Sequence, residues 1–195
     1  MSYSVEVVEG RYRLRGEFHT IEPNQPIRNE SGKLCGVTNP RRLVHTHSYG
    51  GEAEFFEGLS QGRLLGTRCD NAECEEGYES VWIPYRIHCP DCLQRMTSVD
   101  LTEVADTSGT IHSFMITERT GAFNTLQKPI KFINVEFEGV CTILMGYMLC
   151  GEPRIGDRVR PIFATASPTY TIVDLAWVPA DTPESELPKG FSFSK

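Results

Sequence analysis

The sequence predicts a mainly β protein in which a rubredoxin-like zinc ribbon leads into a five-stranded OB-fold barrel. Three observations carry that reading. Two cysteine pairs, Cys69-Asp-Asn-Ala-Glu-Cys74 and Cys89-Pro-Asp-Cys92, flank a fourteen-residue segment, 75–88. From 99 to 178, short alternating runs recur between turn residues. Only 52–61 carries a clear helical period, with Phe55, Phe56 and Leu59 on one face and glutamates early, where the helix dipole favours them.

The elements divide the chain into four segments: a hairpin and irregular arm over 1–51, helix plus ribbon over 52–98, the OB-fold over 99–178, and a tail over 179–195. In the first, Val5 and Val7 share a face, Glu9-Gly10 makes a turn, and Arg11, Arg13 and Arg15 alternate with Tyr12 and Leu14. This is an extra N-terminal hairpin with an arginine face. Residues 22–51 hold Pro23, Pro26 and Pro40 and keep no period, so they read as an arm that becomes ordered on a partner. His45 and His47 stand two apart there. With no third ligand nearby they read as surface or interface histidines, and Cys35 is a lone thiol.

After the helix, Gly62 is the natural stop and Arg63 to Arg68 runs as a strand into Cys69. Each cysteine pair needs a tight turn whose backbone N–H groups point at sulfur. Four thiolates close a tetrahedral sphere and leave no position for water, so Cys69, Cys74, Cys89 and Cys92 define a structural Zn2+ site. The metal substitutes for a core that so short a segment cannot build. The same ligands accept iron, but no other feature points to redox work. The first knuckle, Cys-x4-Cys, is longer than the usual two-residue spacing and must bulge. His88 next to Cys89 reads as packing. Val81 to Pro84 supply an apolar strand between the pairs.

In the barrel segment, Val99 to Val104 reads as the first strand, bent at Ser108-Gly109 before Ile111 to Thr117. A Gly-Ala-Phe-Asn loop follows. Ile133, Val135 and Phe137 alternate, Glu138-Gly139 turns into Val140 to Leu149, and Val159 to Phe163 and Tyr170 to Val178 complete the set. Five strands in about 80 residues fit an OB-fold. Cys141 and Cys150 have no cationic neighbours in sequence and read as buried small hydrophobes. Pro179, Pro183 and Pro188 mark a surface tail that Phe191 and Phe193 can anchor.

Composition narrows the function. No apolar run approaches the roughly 20 residues of a membrane helix, and Met1-Ser-Tyr-Ser-Val-Glu has no signal-peptide character. The expected compartment is cytoplasmic, where seven cysteines in 195 residues are metal ligands and free thiols. Net charge is −7. The ribbon segment carries most of it, with nine Asp and Glu against four Arg and Lys. Zinc ribbons and OB-folds both bind nucleic acid elsewhere, so a nucleic-acid-binding module is the alternative reading. Such readers concentrate positive charge and exposed stacking aromatics on the binding face, and this ribbon is the most acidic part of the chain.

The order of helix, strand, ribbon and barrel resembles one family, the zinc-ribbon/OB-fold acyl-CoA-associated proteins, formerly a domain of unknown function. The resemblance runs from about Glu52 to Val178. It rests on Phe55-Phe56-Glu57-Gly58-Leu59, on Gly62-Arg63-Leu64-Leu65 leading to Arg68-Cys69, on Gly109-Thr-Ile-His-Ser-Phe114, and on Ile155-Gly156-Asp157-Arg-Val159. It implies a non-catalytic accessory subunit of a thiolase-type acyl-CoA complex, such as a β-ketoacyl-CoA thiolase or acyltransferase. The partner chain would hold the catalytic cysteine and histidines, and a coenzyme A thioester would bind at the interface. The fifty or so residues before the family's usual start suit one class of partner, such as a thiolase of aromatic or other unusual acyl-CoA breakdown. Cations available to CoA phosphates are Arg63, Arg68, Lys128, Lys131, Arg154 and Arg158. A stand-alone enzyme would need an acid/base pair such as His112 and Glu118, six residues apart; a histidine on a strand is more often packed than catalytic.

Overall fold

The computed structural model describes residues 4–9, 11–16, 19–43, 45, 49–119 and 125–194. Tyr3, Gly10, His47 and the 121–124 loop lie outside the described residues. The chain forms two units, 1–49 and 50–195.

The first unit is built of two-stranded ladders. Strands β1 (Ser4–Val8) and β2 (Arg11–Arg15) pair antiparallel with Val5 opposite Leu14, and Arg15 reaches Glu6 at 2.8 Å. Strand β3 (His19–Ile21) pairs with β6 (Arg41–Leu43), and β4 (Gln25–Arg28) pairs with β5 (Leu34–Thr38). The expectation of an irregular arm is therefore corrected: 19–43 is one long hairpin in two steps. Pro23 and Pro40 fall between the two ladders, where no ladder hydrogen bond is lost. At the tip, the Asn29 side-chain oxygen accepts from the N–H groups of Ser31 and Lys33, and Gly32 takes φ +79°. The pattern was unreadable because no side chain of 20–42 is buried: Ile21, Ile27, Leu34 and Val37 are all exposed. Without a buried face there is no apolar-polar alternation to detect.

In the second unit, α1 (Ala53–Ser60) buries Phe55 and Leu59, one turn apart. Its end is closed by the Arg63 N–H bonding to the Gly58 carbonyl, with Gly62 at φ +78°. Strands β7 (Leu65–Arg68), β8 (Val81–Trp82) and β9 (Thr97–Asp100) make a three-stranded sheet with β7 central. Helix α2 (Thr102–Ser108) follows. Here the structure differs from the expected strand over 99–104. Thr97–Asp100 pairs with β7 in the ribbon sheet. From Leu101 onward, Leu101, Val104 and Ala105 fall at i, i+3 and i+4 and pack against one core, which is a helical period.

The barrel strands are β10 (Thr110–Thr117), β11 (Ile130–Glu136), β12 (Leu144–Met148), β13 (Val159–Phe163) and β14 (Leu175–Pro179). They lie in the order β10-β11-β12-β14-β13. Strands β12 and β14 meet in parallel at Met148 and Trp177. The barrel closes at one end, where Thr110 bridges Arg158 and the Val159 N–H bonds to the Gly109 carbonyl. This is the OB-fold strand order, as the sequence predicts.

One core joins these parts. Leu59, Leu64, Ile83, Ile111, Ile133 and Trp177 belong to a single buried cluster. The indole of Trp177 lies so close to Gly146 that a Cβ there would clash with its Nε1. The ribbon and barrel are further stitched by the Thr142 hydroxyl, which accepts from the Ile83 N–H, and by the Cys141 N–H, which donates to Val81 O at 2.8 Å. A second cluster on the outer barrel face, including Ile130, Phe132 and Ile162, is covered by Leu187, Phe191 and Phe193. The tail is pinned by reciprocal backbone bonds between Phe163 and Ser192. Arg160 stacks over Phe193 at 4.0 Å while donating to both Asp106 carboxylate oxygens through Nε and Nη2. The two tail phenylalanines therefore anchor to their own barrel.

Candidate metal centre

Strand β7 delivers Cys69, and the Glu79 N–H returns to its carbonyl at 2.8 Å. The second pair sits on a hairpin closed by the Cys89 N–H to Gln94 O, with Leu93 at φ +60° and a His88–Arg95 bridge beyond it. The longer first knuckle is accommodated by Asn71. Its side-chain oxygen accepts from the Glu73 N–H at 3.1 Å, and its carbonyl accepts from the Cys74 N–H at 2.9 Å. The two additional residues are thus folded into a local turn of the kind asparagine promotes.

The four sulfurs converge. Cys69 Sγ lies 3.7 Å from Cys92 Sγ, Cys74 Sγ lies 3.9 Å from Cys89 Sγ, and all four lie within 4.8 Å of one another. Ligands at about 2.3 Å from a tetrahedral centre are separated by about 3.8 Å, so the spacing is that of a tetrahedral thiolate site. Cys69, Cys74 and Cys89 are buried and Cys92 is half-buried. Gly77 leaves room for the site: a Cβ there would lie 2.9 Å from Cys74 Sγ and 3.0 Å from Cys89 Sγ. These residues can hold a zinc ion with no open coordination position.

The four thiols are not equivalent. The Asn71 side chain, followed by the Gln94 backbone N–H, pulls the Cys92 pKa down to about 6. Burial pushes Cys74 up to about 12. For Cys69, the Asn71 backbone N–H favours the thiolate, but burial and its bonds with Cys89 and Cys92 outweigh it and the pKa is raised. A divalent ion among them removes the cost of gathering several negative sulfurs in a buried site, which is the usual coupling of metal binding to folding. Asn71 is the functional residue the spacing argument missed. The signal was the Asp-Asn pair inside an over-long knuckle.

The other singled-out residues are dispersed. Cys35 is exposed on β5, Cys141 is exposed rather than buried, and Cys150 is half-buried. Cys141 stays at the surface because it sits on the loop that clasps β8, not inside a strand. His112 Nδ1 pairs with Glu136 at 3.0 Å rather than with Glu118, so the sequence-adjacent acid/base pair is not formed. Of the six candidate cations, Arg63 is taken by Asp100, Arg68 by Asp70, and Lys131 by Glu152. Arg158 donates to the Gly109 and Thr107 carbonyls. Among the described residues, only Lys128 and Arg154 of the six have no such partner. An apolar cleft of about 470 Å³ opens between α1 and the barrel, lined by Phe55, Phe56, Pro84, Tyr85, Ile143 and Met145. Among the described residues, no helix is long and apolar enough to cross a membrane.

No family model matches the chain, and no curated protein does. Solved structures resemble it, among them these two. One is the Ltp2-ChsH2(DUF35) aldolase, at 23% identity and TM-score 0.51, covering 71% of this chain and 99% of that one. The other is a protein of unknown function from the DUF35 family of Sulfolobus solfataricus, at 20% identity and TM-score 0.42, covering 55% and 74%. The first likeness shows the fold: a cysteine ribbon leading into an OB barrel, as the resemblance in sequence implies.

Proposed function

We propose that the chain is a non-catalytic accessory subunit of a thiolase-type acyl-CoA enzyme, a member of the zinc-ribbon/OB-fold family it resembles. The observation that carries the reading is a closed four-sulfur site, in a buried cluster of its own, on a ribbon whose Leu65 and Ile83 share a core with the barrel. Such a centre offers structure and no reaction position. Zinc held by Cys69, Cys74, Cys89 and Cys92 supplies rigidity to the ribbon. The name of the structural neighbour joins a DUF35 chain to an aldolase, which supports a role beside a catalytic partner. The apolar cleft beside α1 suits part of an acyl group, and Lys128 and Arg154, which do not line it, are the cations proposed for CoA phosphates. An aromatic or otherwise unusual acyl-CoA is the proposed substrate of the complex, and the cytoplasm its compartment. The acidic ribbon weighs against nucleic acid.

The test is to look for a thiolase-like reading frame beside the coding region of this chain and to co-express the two. A stable complex whose acyl-CoA turnover requires both chains is the expected result. Turnover by this chain alone, or failure to bind any thiolase-fold protein, overturns the proposal.

A further inference from the structure

The barrel closes at only one end of β10. Gly109 to Ile111 is bonded across to 156–159: the Ile111 N–H donates to Asp157 O at 3.0 Å, and the Ile111 carbonyl accepts from the Gly156 N–H at 2.8 Å. A bulge between Ile111 and Ser113 then turns the strand. Beyond it, 113–117 pairs with β11 on one side only, and β10 ends the sheet order. Among the described residues, no backbone group bonds to its outer edge. Past the bulge, this edge lacks the charges and prolines that usually blunt an open strand. Ser113-Phe-Met-Ile-Thr117 contains no charge and no proline, and Phe114, Met115 and Ile116 are 43%, 58% and 46% exposed. An open apolar edge of this kind is a template for another strand.

We infer that this edge pairs with the same edge of a second copy of the chain, antiparallel and centred on Met115, joining two barrels through one continuous sheet. The sequence is complementary to itself in that register. Met115 faces Met115, Phe114 faces Ile116, and Ser113 faces Thr117. One step outward His112 faces Glu118, where the open edge ends, so no position opposes like charges. A two-fold axis requires this kind of self-complementary patch. The exposed apolar side chains on both faces of the strand then gain cover from their counterparts.

The register gives a sharp test, because Met115 is the one residue that meets itself. Sedimentation velocity of the full chain across a wide concentration range is expected to show a dimer. Met115→Lys and Met115→Glu each place like charges together and are expected to weaken association at least tenfold, with circular dichroism unchanged because the side chain is exposed. An equimolar mixture of the two variants is expected to restore the dimer. A wild-type chain that stays monomeric overturns the inference, as does a dimer that survives either substitution or a mixture that fails to recover.

Discussion

The two units differ in where their apolar residues go. In 50–194, leucines, isoleucines and a tryptophan from the helix, ribbon and barrel meet in one buried cluster. In the first unit, every side chain whose burial is described is at least partly exposed, including Val7 at 64% and Ile21 at 60%. Both units make regular antiparallel ladders, so hydrogen bonding is not what separates them. Isolated two-stranded hairpins are marginal in water because they have one layer and nothing to pack it on. Strand pairing specifies shape in both units, whereas stability resides in the one with an interior.

The largest effect that tests this contrast is loss of the metal centre. Cys89→Ser removes a fully buried ligand and is expected to abolish zinc binding, read by elemental analysis. Loss of the near-ultraviolet signal of Trp82, half-buried against the cysteine cluster, is expected with it. Thermal unfolding unchanged by the substitution would show that the barrel carries the second unit without the ribbon. Next in size is Phe163→Ala, which opens a cavity in the shared core and is expected to cost about 3–5 kcal/mol in urea unfolding. The smallest is the matching deletion in the first unit. Ile27→Ala, on an exposed face, is expected to change global stability of the isolated chain by no more than about 0.5 kcal/mol. A cost as large as that of Phe163→Ala would mean that the first unit has a covered face after all.

The same contrast decides what could be read from the chain. The ribbon was legible because metal ligation demands specific residue types at specific spacings, and Cys69, Cys74, Cys89 and Cys92 have them. Helix α1 was legible because Phe55 and Leu59 are buried one turn apart. Strands β4 and β5 were not, since pairing without burial leaves no period. Helix α2 was missed for a different reason. Val99 and Leu101 alternate like a strand, and the helical period starts on Leu101 itself, so two patterns share a residue. Asn71 escaped because its work is done by a turn bond to the Glu73 N–H and by hydrogen bonds to the cysteines around it, contacts that spacing rules do not encode. Cys141 was misplaced because it was assigned to an apolar strand that in fact begins only at Leu144.

The tail that covers Ile162 and Phe132 also sets an order of events during synthesis. The last cysteine of the ribbon leaves the ribosome roughly a hundred residues before Ser192, an interval on the order of 5–20 s at ordinary elongation rates. The ribbon can capture its ion in that interval, while β13 and β14 are still being made. The outer barrel face stays bare until Phe191 and Phe193 emerge. A nascent chain stalled shortly before Leu187 would therefore present a loaded metal knuckle beside an apolar sheet with no cover, the state in which a chaperone would have most to hold.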